Sequence, residues 1–318
     1  MFTEGETLTL AEDQHHASHE QAAPDLLVVG GGKGGVGKTC FAVNVAVAIA
    51  RKGWRVVLVD ADLSCSNIEE VLGTASRSRL DDFFRSREES ALAGLVCDTH
   101  YENLRLIPGT TGLLDVANPR RQQKSAFMRE LRGLEADLVI VDLDAGAHLN
   151  TLDFFLMTDT HGVLIINPEK TSIDNAYKFL RAAVFRKIER FYDAPEVAML
   201  LKRNQTVPDF IERVKHTTVF SKEIREQVCG EVVALARALK PKIVVNRAHT
   251  PYEAQVAANI LCRLAGQDLM VAPDRLGFLF FDKHVTEAVN SGVPFVVSHP
   301  ELKISSCVAD IANRLGYL

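Results

Sequence analysis

The residues with the most chemistry in this chain lie together, in the run GGKGGVGKT from Gly31 to Thr39. Gly32, Gly37, Lys38 and Thr39 satisfy G-x-x-x-x-G-K-[ST], the spacing of a phosphate-binding loop. Glycines at 32, 34, 35 and 37 lack Cβ atoms, so the backbone can take positive φ and turn its N–H groups toward a phosphate. A helix beginning near Gly37 adds the positive end of its dipole. Lys38 would reach the β- and γ-phosphates of a nucleoside triphosphate, and the Thr39 hydroxyl would bind Mg²⁺.

Such a loop works only between a strand and a helix. Leu26-Leu27-Val28-Val29 before it and the apolar stretch from Cys40 to Ala50 after it predict that order. Two further apolar runs carry acids. Trp54-Arg55-Val56-Val57-Leu58-Val59-Asp60 reads as a buried parallel strand, with Asp62 just past its C-terminal end. Asp137-Leu138-Val139-Ile140-Val141-Asp142 reads as another strand, ending in Asp142. In open α/β sheets this is the edge where ligands bind.

Lys33, inside the loop, completes K-G-G-x-G-K-T. With it the sequence resembles the MinD/ParA superfamily of P-loop ATPases, which carry this deviant Walker A motif, and within it the MinD/FlhG branch. The resemblance implies ATP and Mg²⁺ as cofactors, with Lys33 reaching the nucleotide of a partner subunit in an ATP-bridged homodimer. It implies that the loop from Gly32 through Gly34, Gly35 and Val36 to Thr39 and Cys40 holds ATP. Asp62 matches the second acid of the family's D-x-D, which orients the attacking water and helps to hold Mg²⁺, and Asn67 matches an asparagine a few residues on. Asp142 matches the Walker B acid, a metal ligand through water. Asn246, at the end of Lys242-Ile243-Val244-Val245-Asn246, matches an adenine-reading asparagine. Asp282 matches the acid of a G-x-I-P-x-D segment in which Phe280 replaces the proline. Two more departures are Ser64, where relatives have glycine after the D-x-D, and Asp144, where they have a small residue or proline.

The expected fold is α/β, a mostly parallel sheet of seven to eight strands with helices on both faces, over residues 25–318. Residues 1–24 are polar, mixing acids with His15, His16 and His19, and read as a disordered tail. A strand is expected at 104–108, short helices over 68–100 and a helix over 119–135 with Phe127, Leu131 and Leu134 on its buried face. Gly162 to Pro168 reads as a strand, followed by a long helix capped by Thr171 or Ser172. A helical insertion is expected at 189–241, and a helix over 252–265.

Six scattered cysteines without a C-x-x-C pair argue against a disulfide framework or a metal-cluster site, and fit a cytoplasmic protein. No apolar run approaches a membrane span, and the sequence shows neither a leader pattern nor a C-terminal membrane-targeting helix. The net charge of −5 disfavours generic nucleic-acid binding. From Lys178 to Arg247, however, 15 Lys/Arg face 8 Asp/Glu, so weak contact with DNA, anionic membrane or an acidic partner stays open. The functional expectation is a dimerising ATPase switch that positions flagellar or division machinery through an unidentified protein partner. DNA partitioning of the ParA type and a metal-cluster carrier are the alternatives.

Overall fold

Along the central strands the side chains sort alternately into two cores. Leu26 and Val28 enter one apolar cluster and Leu27 and Val29 the other. Val57 and Val59 oppose Val56 and Leu58 in the same way, as Val139 and Val141 oppose Leu138 and Ile140. Period-two alternation between two buried faces is what a sheet covered on both sides requires. Each such side chain contributes about 1.5–3 kcal/mol on burial. The computed structural model describes residues 23–85, 92–110, 119–158 and 162–317. The polar N-terminal stretch falls almost wholly outside the described residues.

The chain starts with β1 (Asp25–Gly31), α1 (Lys38–Ala50), β2 (Val56–Ala61), α2 (Ile68–Leu72) and α3 (Leu80–Arg85). A 3-10 turn (Leu92–Leu95) leads to β3 (Cys97–Asp98) and β4 (Leu104–Ile107). Then come α4 (Arg121–Arg132), β5 (Leu138–Ala145), α5 (Leu149–Phe155) and β6 (Gly162–Ile166). Four helices follow in succession, α6 (Lys170–Tyr192), α7 (Pro195–Lys202), α8 (Val207–His216) and α9 (Lys222–Ala238). The last part is β7 (Lys242–Ala248), α10 (Pro251–Leu269), β8 (Asp274–Phe280), α11 (His284–Ser291), α12 (Phe295–Ser298) and α13 (Lys303–Arg314).

The eight strands lie in the order β3-β4-β2-β5-β1-β6-β7-β8, all parallel except the β3–β4 pair. β1 sits between β5 and β6, so successive crossovers run to opposite sides of it. Its C-terminal end is therefore the switch point where an open α/β sheet leaves a crevice. α1 packs on one face with α13, and α4 to α10 cover the other. α1 is buried almost all round, which its small and β-branched run Ala42-Val43-Asn44-Val45-Ala46-Val47 permits.

Several sequence expectations need correction. α6 begins at Lys170 with Glu169 at its cap position, so neither Thr171 nor Ser172 caps it; the Ser172 hydroxyl instead accepts from the Asn167 N–H at 2.9 Å. β5 runs on to Ala145, which puts Asp142 inside the strand rather than at its end. The stretch 68–100 holds the short edge strand β3 as well as helices, because two residues give no periodicity to read. Leu134 is buried but lies beyond the end of α4.

Candidate functional site

β1 aligns with β5 so that Val29 pairs with Asp142 and, across an irregularity, Gly31 with Ala145. The loop from Gly32 to Gly37 thus rises directly beside the acid on the next strand. Gly37 has φ +94° and stands at the N-terminus of α1, where a Cβ would come within 2.3 Å of the Asn246 amide. At Gly32 a Cβ would collide with the Asn175 carbonyl oxygen at 2.2 Å. Both glycines are demanded by close approach of other chain segments. Gly35 also has positive φ, and Gly34 faces Ala145. Val36 is buried, and its carbonyl accepts from Asn246 Nδ2 at 2.8 Å.

Lys38 and Thr39 open α1 and face inward. Lys38 is buried, and the Thr39 hydroxyl donates to Asp142 Oδ2 at 2.6 Å. The other carboxylate oxygen, Asp142 Oδ1, is buried with no hydrogen-bond partner. Burial, then the neighbouring Asp60, push the Asp142 carboxyl up to about 8, with the Thr39 hydrogen bond and Lys38 opposing. An orphaned carboxylate oxygen beside a threonine hydroxyl at a phosphate loop is a donor set suited to a hard divalent cation. Mg²⁺ fits these residues.

Asp60 lies opposite Asp142 in the β2–β5 register. Its Oδ2 accepts from the Ser66 hydroxyl at 2.6 Å and from the Asn67 and Ile68 N–H groups at 3.1 Å, and its Oδ1 from the Asp62 N–H at 3.2 Å. It therefore shapes the loop after β2 and closes the N-terminus of α2 from a distance. Burial pushes its carboxyl up to about 6, the hydrogen bonds from Ser66, Ile68 and Asp62 pulling the other way. Asp62 is half-buried, and its Oδ1 accepts from Ser64 N (3.1 Å), Ser64 Oγ (2.8 Å) and Cys65 N (2.8 Å). Asn67 is exposed and donates to the Cys65 carbonyl.

Asn246 is buried behind the loop; beyond its bond to Val36, its Oδ1 accepts from the Arg247 N–H at 2.9 Å. One amide proton and one lone pair remain for a ligand. Arg247 holds a left-handed φ of +58°, a strained backbone for a side chain of its size. Gly37, Cys40, Asn246, Arg247, Phe281 and Asp282 line a cavity of about 80 Å³. Asp282 Oδ1 accepts from His284 N at 3.0 Å and lies 2.8 Å from His284 Nδ1. Burial alone would raise the Asp282 carboxyl, but these bonds hold it below the usual range. Burial pushes the Cys40 thiol up to about 12, so it stays a thiol there.

The structure brings Lys38, Thr39, Asp62, Asp142 and Asn246 around one loop. It leaves Lys33 exposed. Sequence reasoning missed Ser66 and His284, which hold Asp60 and Asp282, because a lone serine or histidine a few residues from an acid carries no pattern. A larger cavity, about 490 Å³, lies elsewhere, around Asp153 between α4, α5, α6 and α7. Its buried charges pair with one another, so no chemistry is placed there.

Known proteins carry the same framework. The CobQ/CobB/MinD/ParA nucleotide binding domain matches residues 27–295. Antiactivator FleN of Pseudomonas aeruginosa is 23% identical over 291 residues, covering 91% of this chain and 85% of that protein. The flagellum site-determining protein YlxH of Helicobacter pylori is 28% identical over 176 residues, 54% of this chain and 58% of its own. Among solved structures, the septum site-determining protein MinD of Pyrococcus horikoshii OT3, complexed with Mg-ADP, superposes with a TM-score of 0.63 at 20% identity, over 92% of this chain and 96% of that one. The eight-stranded sheet is thus a MinD-like P-loop NTPase fold. This chain belongs to the CobQ/CobB/MinD/ParA nucleotide-binding domain family.

Proposed function

We propose that this chain is an ATP-dependent switch: two copies close face to face on Mg-ATP, and hydrolysis releases them. The observation that carries the reading is the buried, unpartnered Asp142 Oδ1 beside Thr39 at the foot of the glycine loop. Thr39 and Asp142 would hold Mg²⁺, which supplies charge neutralisation at the β- and γ-phosphates when bound. Lys38 and the loop N–H groups grip the phosphates, Asp62 orients the attacking water, and Asn246 and Asp282 border the base. Hydrolysis asks little more than positioning and charge of such a site. Lys33 is exposed and would meet the partner's nucleotide.

The relatives named for flagellum and septum site determination support a role in positioning a cellular assembly through a protein partner. We take 189–241 as a helical insertion available for that partner. A DNA-partitioning role is the second reading, on the basic excess of 178–247. Arg186 and Arg190 meet Asp153, an acid outside that segment, which offsets part of the excess and favours the first.

Lys33→Ala tests the reading. Nucleotide binding should persist, while ATP-induced dimerisation disappears and turnover falls about 10³-fold, the scale of a cation supplied in trans. Hydrolysis by the variant at the parent rate would refute the trans role.

A further inference from the structure

The loops after β2 and β5 leave neighbouring strands side by side, because Asp60 pairs with Asp142 and Ala61 with Leu143. One side chain joins them. The Ser64 hydroxyl lies 2.8 Å from Asp62 Oδ1 and 3.1 Å from Asp144 Oδ2. A hydroxyl has one proton and serves one carboxylate at a time. The two acids differ in what else holds them. Asp62 Oδ1 already has the Ser64 and Cys65 N–H groups. Asp144 Oδ1 has the N–H of Ala145 at 2.5 Å, and the bond described to Oδ2 is the one from Ser64. The hydroxyl therefore matters more to Asp144 than to Asp62.

The placement of Asp144 makes that bond consequential. Ala145, the next residue, pairs with Gly31 and faces Gly34, and the Gly146 N–H donates to the Gly31 carbonyl at 3.0 Å. A carboxylate at 144 is consequently within the field of any phosphate held by the loop, and like charges there repel. Bonded to Ser64, the Asp144 charge is drawn toward the β2 side.

We propose that Ser64 is a positioning residue: it ties Asp144 to the loop that carries Asp62 and keeps the Asp144 charge off the phosphate site. The inference rests on the ATPase reading above. Its consequence is that Ser64 acts on nucleotide affinity through Asp144. Without the hydroxyl, the carboxylate turns free and weakens binding of a triphosphate; with the carboxylate also removed, the hydroxyl has nothing left to restrain.

A double-mutant cycle on the full chain tests it, with Mg-AMPPNP affinity read by calorimetry and ATP turnover measured in parallel. Ser64→Ala should weaken AMPPNP binding about fivefold, the scale of one ordinary net hydrogen bond. In the Asp144→Ala background the same substitution should change affinity less than about twofold, which is coupling between the residues. Ser64→Thr, which keeps the hydroxyl, should recover most of the loss. An equal penalty in both backgrounds would mean that Ser64 acts on the loop alone and would overturn the proposal, as would no penalty at all. A parent chain that binds no nucleotide sinks the ATPase reading and the proposal together. Nucleotide binding with additive penalties sinks only the proposal.

Discussion

Two buried aspartates, Asp142 and Asp153, sit in opposite electrostatic surroundings. Asp142 sits in β5 with one oxygen on Thr39 and the other without a partner, and burial raises its carboxyl to about 8. Asp153 sits in α5, where burial would raise it too. There Arg186 at 2.8 Å and Lys124 at 2.7 Å outweigh burial and hold it below the usual range, with Arg190 near at 3.6 Å. One acid is buried short of cations, the other with cations to spare. A group left unsatisfied at the foot of a glycine loop awaits a ligand, whereas a group saturated by its own chain clamps helices together. The difference separates site from scaffold, and cavity size does not, since the roomier cavity surrounds Asp153.

The comparison breaks most visibly at Asp142. Asp142→Ala should lower Mg-dependent ATP turnover at least about 10³-fold, since a cation site supplies several kcal/mol of charge stabilisation. The fold should survive, because the substitution removes a carboxylate that the interior disfavours. Circular dichroism and a phosphate-release assay on one preparation check both. Loss of the fold would put Asp142 in the scaffold class.

Asp153 should behave in the reverse manner. Asp153→Ala leaves Lys124 and Arg186 without their shared acid, and α4, α5 and α6 lose the contact that joins them. Breaking a buried pair costs about 3–5 kcal/mol, and partial exposure of Lys124 and Arg186 places the value at the lower end, about 3 kcal/mol. Urea denaturation should show that loss, while nucleotide affinity measured well below the transition stays at the parent value. A drop in affinity without a drop in stability would make the Asp153 cavity a ligand site.

The same contrast shows what sequence carries. Asp142 was legible because it ends an apolar run and the P-loop and D-A-D spacings fix its neighbours in advance; the sheet and its two covered faces followed from the same runs. Asp153 was invisible, since its partners sit 29 and 33 residues away on other helices. No local pattern foretells such a pairing. The basic excess from Lys178 to Arg247 read as a surface, yet Arg186 and Arg190 point at Asp153 and Arg225 at the Lys215 and Thr217 carbonyls. Ser64 and Asp144 stood out as departures from a family pattern, but only the fold shows that they meet.

The smallest effect expected is a pH dependence, and its sign follows from the two raised acids. Burial pushes the Asp60 and Asp142 carboxyls up, to about 6 and about 8, above the ordinary carboxylate range of the unfolded chain. Between those limits the folded state binds more protons, so stability falls as pH rises. The Asp60 share is lost by about pH 6 and the Asp142 share by about pH 8. Asp153, held low, contributes stability that is lost only as pH falls below that ordinary range, outside this window. The melting temperature of nucleotide-free, Mg²⁺-free protein should therefore decline from pH 6 to pH 8, and Asp142→Asn should flatten that decline while leaving the part below pH 6. A cation at Asp142 competes with the proton, so Mg-nucleotide affinity should rise over the same interval, by at most about tenfold per pH unit. A parent melting curve as flat as that of the asparagine variant from pH 6 to pH 8 would mean that Asp142 is already charged at pH 6. Its free oxygen would then have a partner, and the contrast with Asp153 would fail.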